Sequence, residues 1–137
     1  MSEPLKVSVV SPGGLLWQGR AISILVRTTE GDVGILPGHQ AFMGVVVPCA
    51  AEVVSPDGTR DILAVSGGFV SVWKDHVSLL SDSAELARNV SVDDAHSEIA
   101  ALYEKLEQGE LSDVDQHLYN RLVSQIKAGS KLRELNA

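Results

Sequence analysis

Cysteine is nearly absent from this chain: Cys49 stands alone. A single thiol cannot close an intrachain disulfide, so the fold must hold by packing, and a reducing compartment is the natural setting. Long apolar runs are missing too. Val45-Val46-Val47 stops at Pro48, and no run exceeds a few residues, far short of the roughly 20 residues that span a bilayer. Any membrane association must therefore run through a partner protein, without direct insertion. Positive charge is scarce, with 11 Lys and Arg against 18 Asp and Glu and a formal net charge of −7. That balance argues against nucleic-acid binding, which needs a cationic footprint, and against direct docking on an anionic lipid surface. The opening Met1-Ser2-Glu3-Pro4-Leu5-Lys6 has neither the apolar core of a signal peptide nor the Arg-rich look of a transit peptide.

Catalytic signatures are absent as well. No glycine-rich loop leads into a Lys-Ser or Lys-Thr pair, and Val65-Ser66-Gly67-Gly68 is a turn, not a nucleophile elbow. His39, His76, His96 and His117 are far apart in sequence, and none is spaced with Cys49 as a metal pair. The chain reads as non-catalytic, with no cofactor and no metal site. Its six aromatic residues offer little for a sugar-stacking platform, since Trp17, Phe69 and Trp73 sit in strand patterns that suit a core. Cys49 reads as a small core or edge residue.

What is present is glycine-rich punctuation between alternating strands. At 137 residues the chain is one ordinary domain, or a small domain with an appendage. Leu5, Val7 and Val9 alternate with Lys6 and Ser8, the period-two pattern of a half-buried strand. Ser11-Pro12-Gly13-Gly14 is a turn. Leu15-Leu16-Trp17 begins the next strand, and Gly19 suggests a bend or bulge. Ile22, Ile24 and Val26 form the inward face of a third. Thr28 to Phe42 then reads as an irregular connection pinned by Gly31, Gly34 and Gly38, with Pro37-Gly38 central to a type II turn. Gly44 to Val47 is a short strand that Pro48 ends or pushes to an edge. Ala50–Ser55 pairs with Thr59–Val65 across Pro56-Asp57-Gly58, and a last hairpin joins Phe69–Trp73 to His76–Leu80.

Near Asn89 the pattern changes. Ser91 with Asp93 and Asp94 is a helix start, and Ala95, Ile99, Leu102 and Leu106 make an apolar stripe. Gln108-Gly109-Glu110 breaks it. Ser112 caps a second helix striped by Leu118, Leu122, Ile126 and Leu132, with Gln125 and Gly129 on the same face. Gly129-Ser130 offers a break near its end. The fold class that follows is an antiparallel β-sandwich or flattened barrel over residues 1–88, then an antiparallel two-helix hairpin over residues 89–137.

Glu30-Gly31-Asp32-Val33-Gly34-Ile35-Leu36-Pro37-Gly38-His39 resembles the signature of the epsilon subunit of F-type ATP synthases. Leu5 to Pro12, Ala64-Val65-Ser66-Gly67-Gly68-Phe69 and Leu80 to Glu85 are similar to that family at matching spacings, over nearly the whole chain. The resemblance implies a subunit of the central rotor stalk. Its sandwich would grip the gamma subunit and rest on the ring of c subunits, coupling ion flow to ATP synthesis. The whole would be peripheral on the cytoplasmic side of a bacterial cell membrane. Its hairpin would lie against the sandwich or extend along gamma, meet the catalytic α/β subunits and inhibit hydrolysis. Glu30, Gly31 and Asp32 are then interface candidates or solvated turn residues, and His39 a subunit contact or a turn residue. Arg121, Lys127, Lys131 and Arg133 would pair with acidic segments of the catalytic subunits or complement the helix dipole.

Some members bind ATP through Ile/Leu-Asp-x-x-Arg-Ala at the first helix. Here Val92, Asp93, His96 and Ser97 stand at that motif, with His96 where the arginine would be. A neutral imidazole does not replace a guanidinium toward phosphate. The competing expectations are a stand-alone nucleotide-sensing module and a ligand-binding β-sandwich.

Overall fold

The computed structural model of the chain describes residues 3–109 and 112–136. Glu110 of the expected interhelical loop, and Met1 and Ser2, lie outside the described residues. Ten strands come first: β1 Leu5–Ser11, β2 Gly14–Ala21, β3 Ser23–Thr28, β4 Gly31–Ile35, β5 Phe42–Val46, β6 Cys49–Val54, β7 Arg60–Val65, β8 Gly68–Trp73, β9 His76–Ser81 and β10 Ala84–Leu86. A 3-10 turn over Ala87–Asn89 leads to helices α1, Val92–Glu107, and α2, Asp113–Leu135. The strands join in the order β10-β7-β6-β3-β5-β8-β9-β1-β2, with β4 paired to β3 alone. The result is a nearly closed sandwich followed by the expected helical hairpin.

Alternation builds its interior. Leu5, Val7 and Val9 of β1, Ile24 and Val26 of β3, Val70 and Val72 of β8, and Val77 and Leu79 of β9 are buried in one cluster. Cys49 joins them as a small core residue, and its burial raises the thiol pKa. The last gap is bridged by Trp17 of β2, whose indole N–H donates to the Asp61 carboxylate of β7 at 3.0 Å. Among the described strands one pairing is parallel, β1 with β9. All the others are antiparallel.

Several expectations are corrected. The Thr28–Phe42 stretch is not wholly irregular, because Gly31–Ile35 pairs with β3 as an edge strand. Ile35 is buried and Val33 half-buried, and their alternation outweighs the glycines. The Pro37-Gly38 turn is as expected, with Gly38 at φ +85° and His39 N–H bonded to the Leu36 carbonyl at 3.0 Å. The β2 bulge lies not at Gly19 but opposite Val9 and Val10, where Leu16 is the extra residue. Gly19 instead lies beneath the Trp17 ring, 3.2 Å from where a Cβ would stand. Ile22 is exposed because it sits at the bend before β3. Phe69 and Trp73 are also exposed: Val70 and Val72 take the inward positions of β8, leaving their neighbours outside. Trp17 is half-buried against the core.

The hairpin departs from expectation at Gly129. α2 runs unbroken through Gly129-Ser130 to Leu135, because the glycine is a close-contact point. A Cβ on Gly129 would stand 2.1 Å from Cγ2 of Val92. α2 also has two working faces. Leu118, Leu122 and Ile126 pack with Ala95, Ile99 and Leu102 of α1. Ala128 and Leu132 pack on Ala50, Ile62, Ala64 and Ala87 of the sandwich. Leu106 lies outside the seam and is half exposed. Both caps form: the Ser91 hydroxyl accepts from Asp94 N–H, and Ser112 and Asp115 make a reciprocal capping box.

In an open helix Gly129→Ala would stabilise by about 1 kcal/mol. Here it should instead loosen the hairpin, because a helical valine has one favoured rotamer and cannot swing away. Val92→Ala in the same chain should restore it. Amide-exchange protection across α2 measures this, and a gain in protection from Gly129→Ala alone would show that the contact is not felt.

Candidate functional site

The outer face of β5, β8, β9, β1 and β2 carries an apolar band. Register places Val45 beside Phe69, Phe69 beside Leu80, Leu80 beside Val10 and Val10 beside Leu15. All five point away from the core, and Val45, Phe69, Leu80 and Leu15 are each about half exposed. Met43, 75% exposed, stands next to the band on β5. A contiguous outward apolar row on an acidic protein is a mark of an interaction face.

The glycine-rich stretch borders this face. The buried Thr28 hydroxyl donates to the Gly31 carbonyl at 2.9 Å and accepts from Glu30 N–H at 3.2 Å, which locks the β3–β4 turn. Glu30 is thereby held at an exposed tip with Gly31 at φ +113°. Asp32 is exposed on β4 and pairs with Arg27 at 3.4 Å, a solvated ion pair of little energetic weight. Glu30, Phe42, Met43 and Phe69 line a shallow groove of about 360 Å³. Phe42 folds over Gly44 and meets His39 edge-to-face with centroids 6.0 Å apart. His39 Nδ1–H donates to the Gln40 carbonyl at 2.8 Å. The loop is tied down from outside, since Gly38 N–H donates to the Asp75 carboxylate at 2.8 Å. Glu30 and His39 thus flank Phe42 on one rim, from two separate turns.

The four candidate cations of α2 do not gather into one cluster. Arg121 Nε–H donates to Glu85 at 2.9 Å, and the same carboxylate oxygen accepts from the Gln125 amide at 2.8 Å. Lys131 pairs with Glu52 at 3.1 Å. Lys127 donates to the Pro48 carbonyl at 3.4 Å, and Arg133 is exposed in the last turn. Three of the four therefore contact the sandwich. The acids that receive two of them, Glu52 and Glu85, are docking partners of the hairpin that sequence reasoning missed. Glu52 also pairs with Arg60. Burial pushes the Glu52 carboxyl up, but the hydrogen bonds and charges of Arg60 and Lys131 outweigh that and hold it below the ordinary value of 4.5. At the ATP-motif positions, Asp93, His96 and Ser97 are exposed on α1, while Val92 is turned to Gly129. Among the described residues no group of His, Cys, Asp and Glu is placed to hold a metal ion. No described helix is long and apolar enough to cross a membrane.

Residues 4–87 match the family model of the ATP synthase delta/epsilon chain β-sandwich domain. The ATP synthase epsilon chain of Cutibacterium acnes is 40% identical over 124 residues, covering 90% of this chain and 85% of that one. The epsilon chain of Streptomyces coelicolor is 33% identical over 130 residues, covering 95% and 98%. Among solved structures, a chain of the Euglena gracilis mitochondrial ATP synthase (OSCP/F1/c-ring) shares the fold with a TM-score of 0.71 at 20% identity. The match covers 98% of this chain and 83% of that one. A chain of the Tetrahymena thermophila mitochondrial ATP synthase (central stalk/c-ring) shares it at 0.55 and 14% identity, over 96% and 97%.

The Glu52 pairing predicts a pH dependence. Arg60 stays beside Glu52 whether or not the hairpin is docked, so the part that counts for docking is the lowering due to Lys131: it is present in full above the undocked pKa and is lost as pH falls through the lower docked one. Glu52→Gln should weaken hairpin docking by about 1 kcal/mol at neutral pH, and the difference from the native chain should vanish in acid. Exchange protection of α2 measured on both sides of this range checks the sign. A difference that persists unchanged in acid would mean the charge of Glu52 is not what holds Lys131.

Proposed function

The chain belongs to the family of ATP synthase epsilon chains, non-catalytic subunits of the central stalk, and on that premise we propose that its outer sheet face grips the gamma subunit. The observation that carries this is the apolar band Val45–Phe69–Leu80–Val10–Leu15, set on five hydrogen-bonded strands. A rigid sheet can transmit torque, because its contact residues cannot shift relative to one another without breaking the ladder. The rim formed by Glu30, Gly31 and His39 meets the ring of c subunits, whereas Asp32 lies toward the hairpin in a groove it shares with Lys127 and Lys131. Ion flow through that ring is thereby coupled to ATP synthesis, with the protein peripheral on the cytoplasmic side of a bacterial cell membrane.

The hairpin is the regulatory part. Its seam on the sandwich is four alanines with Ile62, Val90 and Leu132, a small apolar area in which each buried methylene contributes only about 0.8 kcal/mol. The rest of the hold comes from Glu85 and Glu52 on Arg121, Gln125 and Lys131. An acidic segment of the catalytic subunits can compete for the same cations, drawing the hairpin out along gamma as a brake on hydrolysis. Arg133 and Lys127 join that pairing when the hairpin extends.

Phe69→Ser with Leu80→Ser should lower gamma affinity about tenfold or more, as expected for desolvated apolar anchors, and co-purification of gamma and c subunits from solubilised membranes should fall with it. Removing residues 90–137 should leave assembly and synthesis in place and raise ATP hydrolysis in membrane vesicles. Unchanged hydrolysis would remove the brake and leave the stalk role standing.

A further inference from the structure

Beside the apolar band runs a second row of opposite character. Lys6 of β1 lies directly opposite Arg20 of β2 and directly beside His76 of β9. All three are exposed on the same outer face as Val10 and Leu80. Trp73 pairs with His76 at the end of the row, and Lys74 lies over the Trp73 ring at 5.4 Å. Between this row and the apolar band stand Ser8, Gln18 and Ser78, again in direct register. Lys6, Arg20 and His76 with these three line a shallow groove of about 540 Å³, and no carboxylate lines it. In a chain with 18 acids and 11 Lys and Arg, an acid-free groove of this kind runs against composition.

The arrangement costs the isolated protein stability. Like charges directly opposite on an antiparallel pair repel. Elsewhere on the surface Arg27, Arg60, Arg88, Lys105, Arg121 and Lys131 each have a carboxylate partner. Among the described residues Lys6 and Arg20 have none, as Lys74, Lys127 and Arg133 have none, but Lys6 and Arg20 stand directly side by side. A row of uncompensated donors next to an uncovered apolar band is complementary to a surface that brings carboxylates alongside apolar side chains.

We infer that the Lys6–Arg20–His76 row receives the acidic side chains of the same stalk partner whose apolar side chains cover the band. This rests on the reading of the outer face as the gamma contact and adds the partner's chemistry to it. Facing side chains on adjacent strands are about 5 Å apart at Cβ. The complementary element therefore bears two carboxylates one helical turn apart, the spacing of i and i+4 positions on a helix. The apolar band supplies adhesion, and the cationic row fixes orientation and accelerates encounter.

The test uses the full chain, purified gamma subunit and the double variant Lys6→Gln with Arg20→Gln. The variant alone should melt at a higher temperature than the native chain in low salt, because the repulsion is gone. Its affinity for gamma should nevertheless fall about tenfold in low salt. Native affinity should drop steeply between about 20 and 300 mM salt, while that of the variant changes little. Equal affinity of the two forms in low salt, or native binding that ignores salt, overturns the inference. Phe69→Ser with Leu80→Ser separates the two readings. If that pair weakens binding and the charge variant does not, only the acidic-partner inference fails. If neither does, the outer face is not the contact and both fail. Phosphatidylglycerol vesicles that bind the native chain but not the charge variant, with gamma affinity unchanged, would assign the row to a lipid surface and also overturn it.

Discussion

Asp75 joins the two halves of the outer face. Together with Lys74 it forms the β8–β9 turn, both residues in the left-handed region at φ 47° and 63°. Its main-chain carbonyl accepts from Lys6 N–H at 2.8 Å, and its carboxylate accepts from Gly38 N–H at 2.8 Å. The first bond sets the register of β1 against β9, and the second holds the Pro37-Gly38-His39 turn beside Phe42. A slip of one residue in β1 would turn Leu5, Val7 and Val9 outward and Lys6, Ser8 and Val10 into the core. The apolar band and the cationic row therefore share one register, and the same turn residue ties the His39 loop to them.

The opposite side of the sandwich is built on a different principle. There the helix approaches closely because most contacting residues are small: Ala50, Ala64, Ala87 and Ala128, around Ile62 and Leu132. Small residues bury little area, so the ionic contacts at Glu52 and Glu85 carry a larger share of the hold than they would over a leucine seam. Such contacts respond to salt, to acid and to rival charges, whereas a purely apolar seam responds to none of these strongly. The outer face is a ladder of paired strands, whereas the helical face is held in part by contacts that salt and acid weaken.

Much of this was legible in the sequence. Alternation located most strands, Ser91 and Ser112 marked both helix starts, and glycine with proline placed the turns. The misreadings share one cause, that local pattern does not say which neighbour will arrive. Phe69 and Trp73 look like core residues until Val70 and Val72 are seen to own the inward side. Gly129 looks like a weak point until Val92 is brought against it. Glu85 meets Arg121 and Gln125, which lie 36 and 40 residues further on, and nothing near Glu85 announces them. In the glycine-rich stretch the Pro37-Gly38 turn was legible, whereas the edge strand Gly31–Ile35 was masked by its glycines. The apolar band was hidden because its five members come from five strands and no two of them are neighbours in sequence.

The parallel pairing of β1 with β9 has a consequence in time. β1 is made first, yet one of its two sheet neighbours begins only at His76. Until then its outer edge is unpaired and the sandwich cannot close, a late and long-range step of the kind that slows folding. The apolar band and the cationic row both run across that junction, so neither surface exists on a chain that stops before β9. The face that would recognise the stalk is assembled by the final strands of the sandwich. Recognition thereby doubles as a check that the sandwich has closed, and a copy that stops short of β9 has nothing to offer a partner.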